Sequence, residues 1–219
     1  MSKPEIFKQD LSDERLAIHL HACDSEGVGG DLAVDCEMMG LKPHRDRLCL
    51  VQISDAHKNI SLIQIAPGQD SAPNLKKLLE HKNITKLFHF ARTDVAYLSF
   101  YLDINTYPLF CTKIASKIAR TYTDHHGLRG LVKEVMGIDL NKQQQSSDWG
   151  RDDLTKEQIE YAAGDVIYLI KLKEGMINML EREGRMEIAE RCFEQISLMS
   201  ELDNLGYDYV FEHRVPKQP

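Results

Sequence analysis

The sequence contains no long hydrophobic run and few cysteines, and both absences restrict the class of protein. No window approaches the roughly eighteen consecutive apolar residues of a membrane-spanning helix, and the opening residues, MSKPEIFKQDLSDERL, lack the apolar core of a secretion signal. The five cysteines are scattered and form no Cys-x-x-Cys pair, which argues against a disulfide framework or a thiolate zinc site. We therefore expect a soluble cytoplasmic protein with reduced cysteines and no membrane association.

An excess of positive charge is also missing. The net charge is -7, which disfavours the broad basic face with which proteins bind long duplexes. Between Cys111 and Arg151, however, basic residues outnumber acidic ones, and one local basic surface of this kind can hold a few phosphates. The charge distribution therefore favours a short anionic substrate over a long one.

The length and the order of patterns predict an α/β fold. A chain of 219 residues with 42% hydrophobic content is long enough for one compact domain with extensions. Residues 32–65 contain three strand patterns with short connections, which predicts an antiparallel meander, and residues 73–111 alternate helix and strand. We predict a mixed five-stranded sheet, a three-strand meander plus two α/β units, flanked by helices. Its domain would span residues 31–180, after a helical extension over residues 1–30.

The second half of the chain is predicted to be helical. Thr155 and Gln158 have the spacing of a capping box, which opens a helix expected to reach residue 180. A further helix is expected over residues 185–199. Residues 181–219 thus form a C-terminal helix and a tail, and the tail packs on the core, contacts a neighbouring subunit or frays.

Two acids in residues 32–38, LAVDCEM, are the most informative local feature. Side chains alternate along a strand, so Asp35 and Glu37 lie on the same face. Two like charges about 4 Å apart repel by roughly 4 kcal/mol at an effective dielectric constant of about 20, so both ionise only beside a compensating charge. A divalent cation is the simplest such charge. Taken alone, the pattern is equally typical of a polar strand end at the sheet edge.

Three later residues extend this pair. Asp94 follows a predicted strand at its turn into a helix, where α/β folds place their chemistry, although a lone acid there also fits a helix N-terminus. Tyr161 and Asp165 are four residues apart and share one helix face, with Gly164 between them. A glycine within a helix costs roughly 1 kcal/mol relative to alanine, a cost that is easier to understand where the helix passes close to another backbone or a ligand.

As a set, these residues resemble the DEDDy branch of the 3′–5′ exonucleases, which have a ribonuclease H-like fold. The matching segments are DCE at residues 35–37, HFARTD at residues 89–94 and YAAGD at residues 161–165. The runs LKPHRDRLCLVQIS, CTKIASKIARTYTDHHGL and KQQQSSDW further resemble the nanoRNase C family, a ribonuclease D-like group that degrades very short RNA. This similarity extends from about Leu32 to the C-terminus.

The resemblance implies a two-metal hydrolase acting on phosphodiesters. Asp35 would bridge two divalent cations, Mg²⁺ or Mn²⁺, with Glu37 and Asp165 completing one site and Asp94 holding the other. Tyr161 would orient the attacking water, because a phenol with a pKa of about 10 is a poor base at neutral pH. The expected reaction is 3′–5′ exonucleolytic cleavage of 5′-phosphorylated dinucleotides and other very short RNA to mononucleotides.

Residues around the acids are predicted to bind substrate. Leu41 matches the position at which related dinucleotide-cleaving enzymes place an apolar wedge between bases, with Met38 nearby, and His89 and Arg92 flank the Asp94 motif. The loop from Lys142 to Ser147 offers groups that would cap a terminal 5′ phosphate, or it is a surface polar loop. Its predicted ligands are Lys142, Gln143, Ser146 and Ser147. Weaker candidates are Arg47, Arg120, His125 and His126.

Alternatives remain open from the sequence. The same chemistry would serve an exonuclease acting on longer single-stranded RNA or on DNA, because recognition of a ribose hydroxyl has no short sequence signature. In a different class, the chain would be a catalytically silent nucleotide-binding module. The resemblance also implies a ring-like homo-oligomer, with an octamer as the expected form and the tail in its contacts.

Overall fold

The computed structural model of the chain describes residues 3–24, 30–140, 144–207 and 209–213. Within these ranges, six strands form one sheet: β1 (Glu5–Lys8), β2 (Asp31–Met38), β3 (Leu48–Asp55), β4 (Ile60–Gln64), β5 (Thr85–Phe88) and β6 (Leu109–Cys111). The described helices pack around this sheet: α1 (Asp13–Asp24), α2 (Pro73–Leu79), α3 (Ala91–Leu102), α4 (Thr112–Ala119), α5 (Leu128–Met136), α6 (Lys156–Ile167), α7 (Leu169–Arg182), α8 (Met186–Glu194) and α9 (Ile196–Asn204).

The sheet is mixed, as predicted, and its strand order is β1-β4-β3-β2-β5-β6. β2, β3 and β4 form the antiparallel meander, whereas β5 pairs parallel with β2 and β6 pairs parallel with β5. All eight residues of β3, LCLVQISD, are buried, because this strand lies between two others and is covered by helices. The predicted α/β class and the meander followed by two α/β units are confirmed.

The sheet has one strand more than the predicted five. β1 adds to the outer edge of β4 in parallel, with Glu5 opposite Ser61 and Lys8 opposite Gln64. The sequence EIFK shows no alternation that would indicate a strand, and its side chains are mostly exposed. Backbone hydrogen bonds to β4 hold it in place, so the segment over residues 1–30 contains an edge strand as well as the expected helix.

Both long C-terminal helices are divided by a single residue. The capping box at Thr155 and Gln158 is present, but the helix predicted to reach residue 180 ends at Ile167, and α7 starts after Tyr168. The predicted helix over residues 185–199 is likewise divided at Gln195, and α9 continues to Asn204. α6 packs on β2, β3 and β4, whereas α7 packs mainly on α4 and also contacts α5, β2 and β5. This change of partners has no signature in the helical period.

The state of the cysteines and the length of the helices can be compared with the sequence analysis. All five cysteines are free thiols, and four of them are buried. None of the helices in the described part of the chain combines the length and the apolar character that crossing a membrane requires.

Candidate active site

The first two acids lie on one face of β2, near its C-terminal end. Asp35 and Glu37 flank Cys36, whose side chain is 5% exposed, as the alternation of a strand requires. Gln52, opposite Asp35 on β3, donates its side-chain N–H to an Asp35 oxygen at 3.4 Å. The pairing of β2 with β3 is irregular between Glu37 and Met38, where the chain leaves the sheet towards a loop.

Helix α6 brings the third acid to this strand. Its capping box starts the helix at Lys156, and the helix then packs on β2, β3 and β4. As a result, one carboxylate oxygen each of Asp35, Glu37 and Asp165 lie within 4.8 Å of one another. Tyr161, one helical turn before Asp165, lines the same cavity as these three acids. We call Asp35, Glu37 and Asp165 the three-acid group.

Asp94 lines the same cavity but is not a member of the three-acid group. It lies in the first turn of α3, is 5% exposed and accepts hydrogen bonds from the backbone and thiol of Cys36. Burial nevertheless raises the pKa of the Asp94 carboxyl to about 7. The structure thus places all four predicted acids in one cavity wall, three of them in close contact.

The other acids are also difficult to ionise together. Burial, followed by the charges of Asp94, Asp165 and Glu37, raises the pKa of Asp35 well above its usual range. Burial and the same two neighbouring aspartates raise the pKa of Glu37 to about 9. A cluster of this kind is stable as carboxylates only when a cation is present. Because its donors are all hard carboxylate oxygens, the three-acid group fits Mg²⁺ or Mn²⁺.

Tyr161 remains a phenol in this environment. Burial, then the charges of Asp165, Glu37 and Asp35, raises its pKa above the usual value, and its hydroxyl hydrogen-bonds to Asp165. The indole of Trp149 packs against its ring with centroids 5.9 Å apart, and Trp149 is only 3% exposed. Tyr161 is therefore held in one orientation and is suited to hydrogen bonding rather than to proton abstraction.

The cavity beside the acids has a volume of about 1030 Å³. Of the predicted substrate-binding residues, those that line it are Met38, Leu41, His89, Ser146 and Ser147. Leu41 lies at the rim and is 78% exposed. Lys142 and Gln143 lie outside the described residues.

The remaining described residues predicted to bind substrate are not among those that line the cavity. The Arg92 guanidinium makes two hydrogen bonds to the carboxylate of Asp203 in α9. Arg120 is 3% exposed and pairs with Glu134. Among the described residues, the cavity lining does not include Arg92 or the weaker candidates Arg47, Arg120, His125 and His126.

Two residues that were not predicted as site residues, Phe90 and Lys113, add an aromatic ring and a cation to the cavity. Phe90 has a left-handed backbone (φ 78°), is 38% exposed and carries the Lys113 ammonium 4.5 Å above its ring centre. Both residues line the cavity. Left-handed conformations at residues other than glycine concentrate at functional sites, but the only signal in the sequence was the position of Phe90 inside the HFARTD run.

Two loops line the cavity, one containing Gly40 and Leu41 and the other containing Ser147 and Asp148. Both are held by the helices that carry the acids. Gln158 of α6 donates its side-chain N–H to Ser147 Oγ at 3.0 Å and to the Asp148 carbonyl at 2.9 Å. The Tyr97 hydroxyl of α3 donates to the Gly40 carbonyl at 2.9 Å, next to Leu41. A Cβ at Gly40 would lie 2.2 Å from a carboxylate oxygen of Asp46, so this turn requires glycine.

Residues 5–181 match the family described as 3′–5′ exonuclease. The match covers most of the chain, and it contains the three-acid group, Asp94 and Tyr161. The chain therefore belongs to the 3′–5′ exonuclease family, as its motifs indicated.

More specific similarities lie within this family. Ribonuclease D of Sphingobium indicum is 35% identical over 173 residues, which are 79% of this chain but only 44% of that protein. The chain thus spans less than half the length of this relative. Two solved structures of Brucella melitensis NrnC, one with bound Mg²⁺ and one bound to pGG, are each 42% identical, with TM-scores of 0.86. The alignments cover 97% and 100% of this chain, and 100% of each NrnC chain. The resemblance to this group is confirmed.

Proposed function

We propose that the protein is a metal-dependent 3′–5′ exoribonuclease that hydrolyses very short RNA, preferentially 5′-phosphorylated dinucleotides, to mononucleotides. The observation that carries the proposal is the three-acid group, within 4.8 Å, in one cavity with Asp94 and Tyr161. Similarity over the full length to NrnC, which has been solved with pGG, supports the substrate class.

The acids would hold the cations and thereby the scissile phosphate. Asp35, Glu37 and Asp165 would hold one divalent cation, and Asp94 together with Asp35 would hold the second. Bound cations would supply an activated water and stabilise negative charge on the leaving oxygen. The Tyr161 hydroxyl donates a hydrogen bond to Asp165, so its oxygen is available to accept a hydrogen bond from the attacking water and orient it. Because the phenol remains protonated, we assign it positioning rather than base chemistry.

Substrate length would be set by the two loops. Leu41 is exposed at the rim of the cavity, and an apolar side chain there can stack on a base without selecting its identity. Met38 and His89 complete the lining near the acids. Ser146 and Ser147, with Lys142 and Gln143 of the same loop, would receive the 5′ phosphate and so reject a longer chain. Ser147 already accepts a hydrogen bond from Gln158, which leaves its own proton for the phosphate.

A comparison of substrates tests the proposal. Turnover of pGG, of a longer RNA and of single-stranded DNA should be measured at saturating Mg²⁺, and pGG should react fastest. Equal rates on all three would remove the preference for dinucleotides, and faster reaction of longer RNA or DNA would favour a trimming exonuclease. Binding of pGG without any hydrolysis would favour the silent nucleotide-binding module.

We also propose that the protein acts in the cytoplasm as a homo-oligomer, with a ring-like octamer as the expected form. Support comes from the described part of the tail, where five large hydrophobic side chains are exposed: Leu205, Tyr207, Tyr209, Val210 and Phe211. A variant that ends after Gly206 keeps all of α9 and should sediment as a smaller species than the full chain. An unchanged sedimentation coefficient would remove the tail from the assembly contacts.

A further inference from the structure

Helix α9 lies beyond residues 5–181 and packs along α3, the helix that carries Asp94. Asp203 accepts two hydrogen bonds from the Arg92 guanidinium, at 2.6 Å from Nε and 2.5 Å from a terminal nitrogen. The buried hydroxyl of Ser200 donates to the Arg92 carbonyl at 2.8 Å, and Asn204 donates to the Ala96 carbonyl at 3.0 Å. The side chain and the backbone of Arg92 are thus both bound by α9.

These contacts act on the first turn of α3, from the side of the helix that faces α9. The side chain of the N-cap residue, Phe90, makes no capping hydrogen bond, and Phe90 is in the left-handed region. The Cys111 sulfur accepts hydrogen bonds from the backbone of Phe90 and Ala91, so it holds the start of α3 but not Arg92. A planar guanidinium joined to a carboxylate by two bonds resists rotation, which a single bond would not. Asp94 lies two residues beyond Arg92, so the pair holds the backbone segment from which the Asp94 carboxyl projects.

The charges of this pair are not explained by helix stability. A cation in the first turn of a helix and an anion in the last turn both oppose the helix dipole. Arg92 is the cation in the first turn of α3, and Asp203 is the anion in the last turn of α9, so neither charge stabilises its own helix. Their mutual contact compensates this cost at both helices.

We propose that Asp203 is a positioning residue of the active site: through Arg92 it fixes the first turn of α3 and thereby holds Asp94 in the cavity lining that it shares with the three-acid group. This inference rests on the proposed function. It assigns a role in the reaction to a residue of the C-terminal helix, more than a hundred positions from the acid that it acts on.

Asp203→Asn is the most direct test, because it keeps the size of the side chain and removes one acceptor oxygen. The Mg²⁺ concentration for half-maximal activity should rise roughly tenfold, as found when outer partners of metal ligands are changed, while KM for pGG changes little. Independently of activity, the rise in Tm that Mg²⁺ produces at a fixed concentration should become smaller. Arg92→Lys should show the same defects although it keeps the charge, because lysine cannot form the two-bond contact.

Glu201→Gln is the matched control, because Glu201 is an exposed acid on the same helix. If Asp203→Asn lowers the Tm without metal but responds to Mg²⁺ as Glu201→Gln does, the role is structural and the proposal is overturned. The double variant R92A/D203N should be no worse than the more defective single variant. Recovery of the Mg²⁺ response in that double variant would mean that a released guanidinium repels the cation, which also overturns the proposal.

The outcome is separable from that of the proposed function. If the unchanged protein does not hydrolyse pGG, the proposed function fails. The Mg²⁺-dependent Tm shifts of the same variants would still decide whether Asp203 positions a cation ligand.

Discussion

The two ends of the central sheet each contain buried carboxylates, and these behave in opposite ways. Asp35 and Glu37 lie towards the C-terminal end of β2, and Asp55 of β3 lies opposite Leu32, near the start of β2. At the first end, burial and neighbouring acids raise the pKa values. At the second, hydrogen bonds from His19 and Asn59 outweigh the effect of burial and lower the pKa of Asp55.

The difference lies in the groups that surround each carboxylate, which are hydrogen-bond donors at Asp55 and other acids at the three-acid group. Asp55 accepts hydrogen bonds from the His19 ring at 2.9 Å, from the backbone of His57 at 3.0 Å and from both nitrogens of Asn59. Each member of the three-acid group instead faces the other two acids, and the charge of Asp94 adds to the repulsion at Asp35. A buried acid surrounded by donors stabilises the fold, whereas a cluster of buried acids needs a cation to stay ionised.

The same comparison shows why residue type alone does not define a site. His19 lies between Asp55 and the hydroxyl of Ser61, at 2.9 Å from each, which is the connectivity of a nucleophilic triad. Both His19 and Ser61 are fully buried, and Arg15 also donates to the Ser61 hydroxyl at 2.7 Å. No substrate can reach this network, so it is structural, while the acids open to the 1030 Å³ cavity can react.

The largest expected effect comes from breaking the acid cluster. Asp35→Asn should reduce hydrolysis of pGG by more than about a hundredfold, because a proposed bridging ligand is lost. It also removes a buried acid whose ionisation its neighbours oppose, so in EDTA the variant should melt at the same temperature as the unchanged protein or higher. A lower Tm in EDTA would contradict the view that the cluster is under electrostatic strain.

The corresponding change at the other end should have the opposite result. Asp55→Asn should lower the free energy of unfolding by about 3 kcal/mol, because the donors around it lose a charged acceptor. Its activity per folded molecule should remain close to normal. Urea unfolding measures the first quantity and pGG turnover the second, with Asp70→Asn, at an exposed position, as the control.

A smaller effect separates chemistry from metal binding within the active site. Tyr161→Phe should slow hydrolysis between roughly tenfold and a hundredfold, because the attacking water loses its orientation. The Tm shift produced by Mg²⁺ should remain, since the carboxylates are intact. Loss of that shift would mean that the Tyr161 hydroxyl contributes to cation binding through Asp165.

The last comparison is one of pH dependence in the unchanged protein. In EDTA, the folded state holds protons on Glu37 up to about pH 9 and on Asp94 up to about pH 7, whereas the unfolded chain releases them near about pH 4. The free energy of unfolding should therefore fall as the pH rises from about 4 to these values, and Mg²⁺ should reduce the slope.

Asp55 should respond with the opposite sign. Its pKa is lower in the folded state, so its contribution is present above the unfolded pKa of about 3.9 and is lost as the pH falls through the folded value. Urea unfolding below pH 4 should show this loss in the unchanged protein and a weaker one in Asp55→Asn. Equal pH dependence in the two proteins would contradict the assignment.

Local patterns predicted the elements better than their boundaries. The alternation in β2 and the capping box of α6 depend on neighbouring residues, and both were readable from the sequence. β1 was not, because its four residues are held by backbone pairing with β4 rather than by a hydrophobic pattern. The break at Tyr168 was not predicted either, because the helical pattern gives no sign that α7 leaves β3 and β4 and packs mainly on α4.

Part of the site was also beyond prediction. The sequence placed Arg92 beside the Asp94 motif and suggested a contact with substrate, but the side chain pairs with Asp203. Phe90 and Lys113 became visible as cavity residues only through the left-handed turn and their mutual contact. Such details depend on which way a side chain points at an element terminus, and neither periodicity nor spacing specifies that direction.

By itself, the sequence determined the acids and their local relations: Asp35 and Glu37 share a face because strands repeat every two residues, and Tyr161 and Asp165 share one because helices repeat every 3.6. Only the tertiary structure decided that Asp165 meets the two strand acids within 4.8 Å. The tertiary structure also decided that hydrogen-bond donors lower the pKa of Asp55, whereas burial and neighbouring acids raise the pKa values of Asp35 and Glu37. The reason is that such contacts join elements far apart in the chain, and their distances follow from the packing of helices on the sheet.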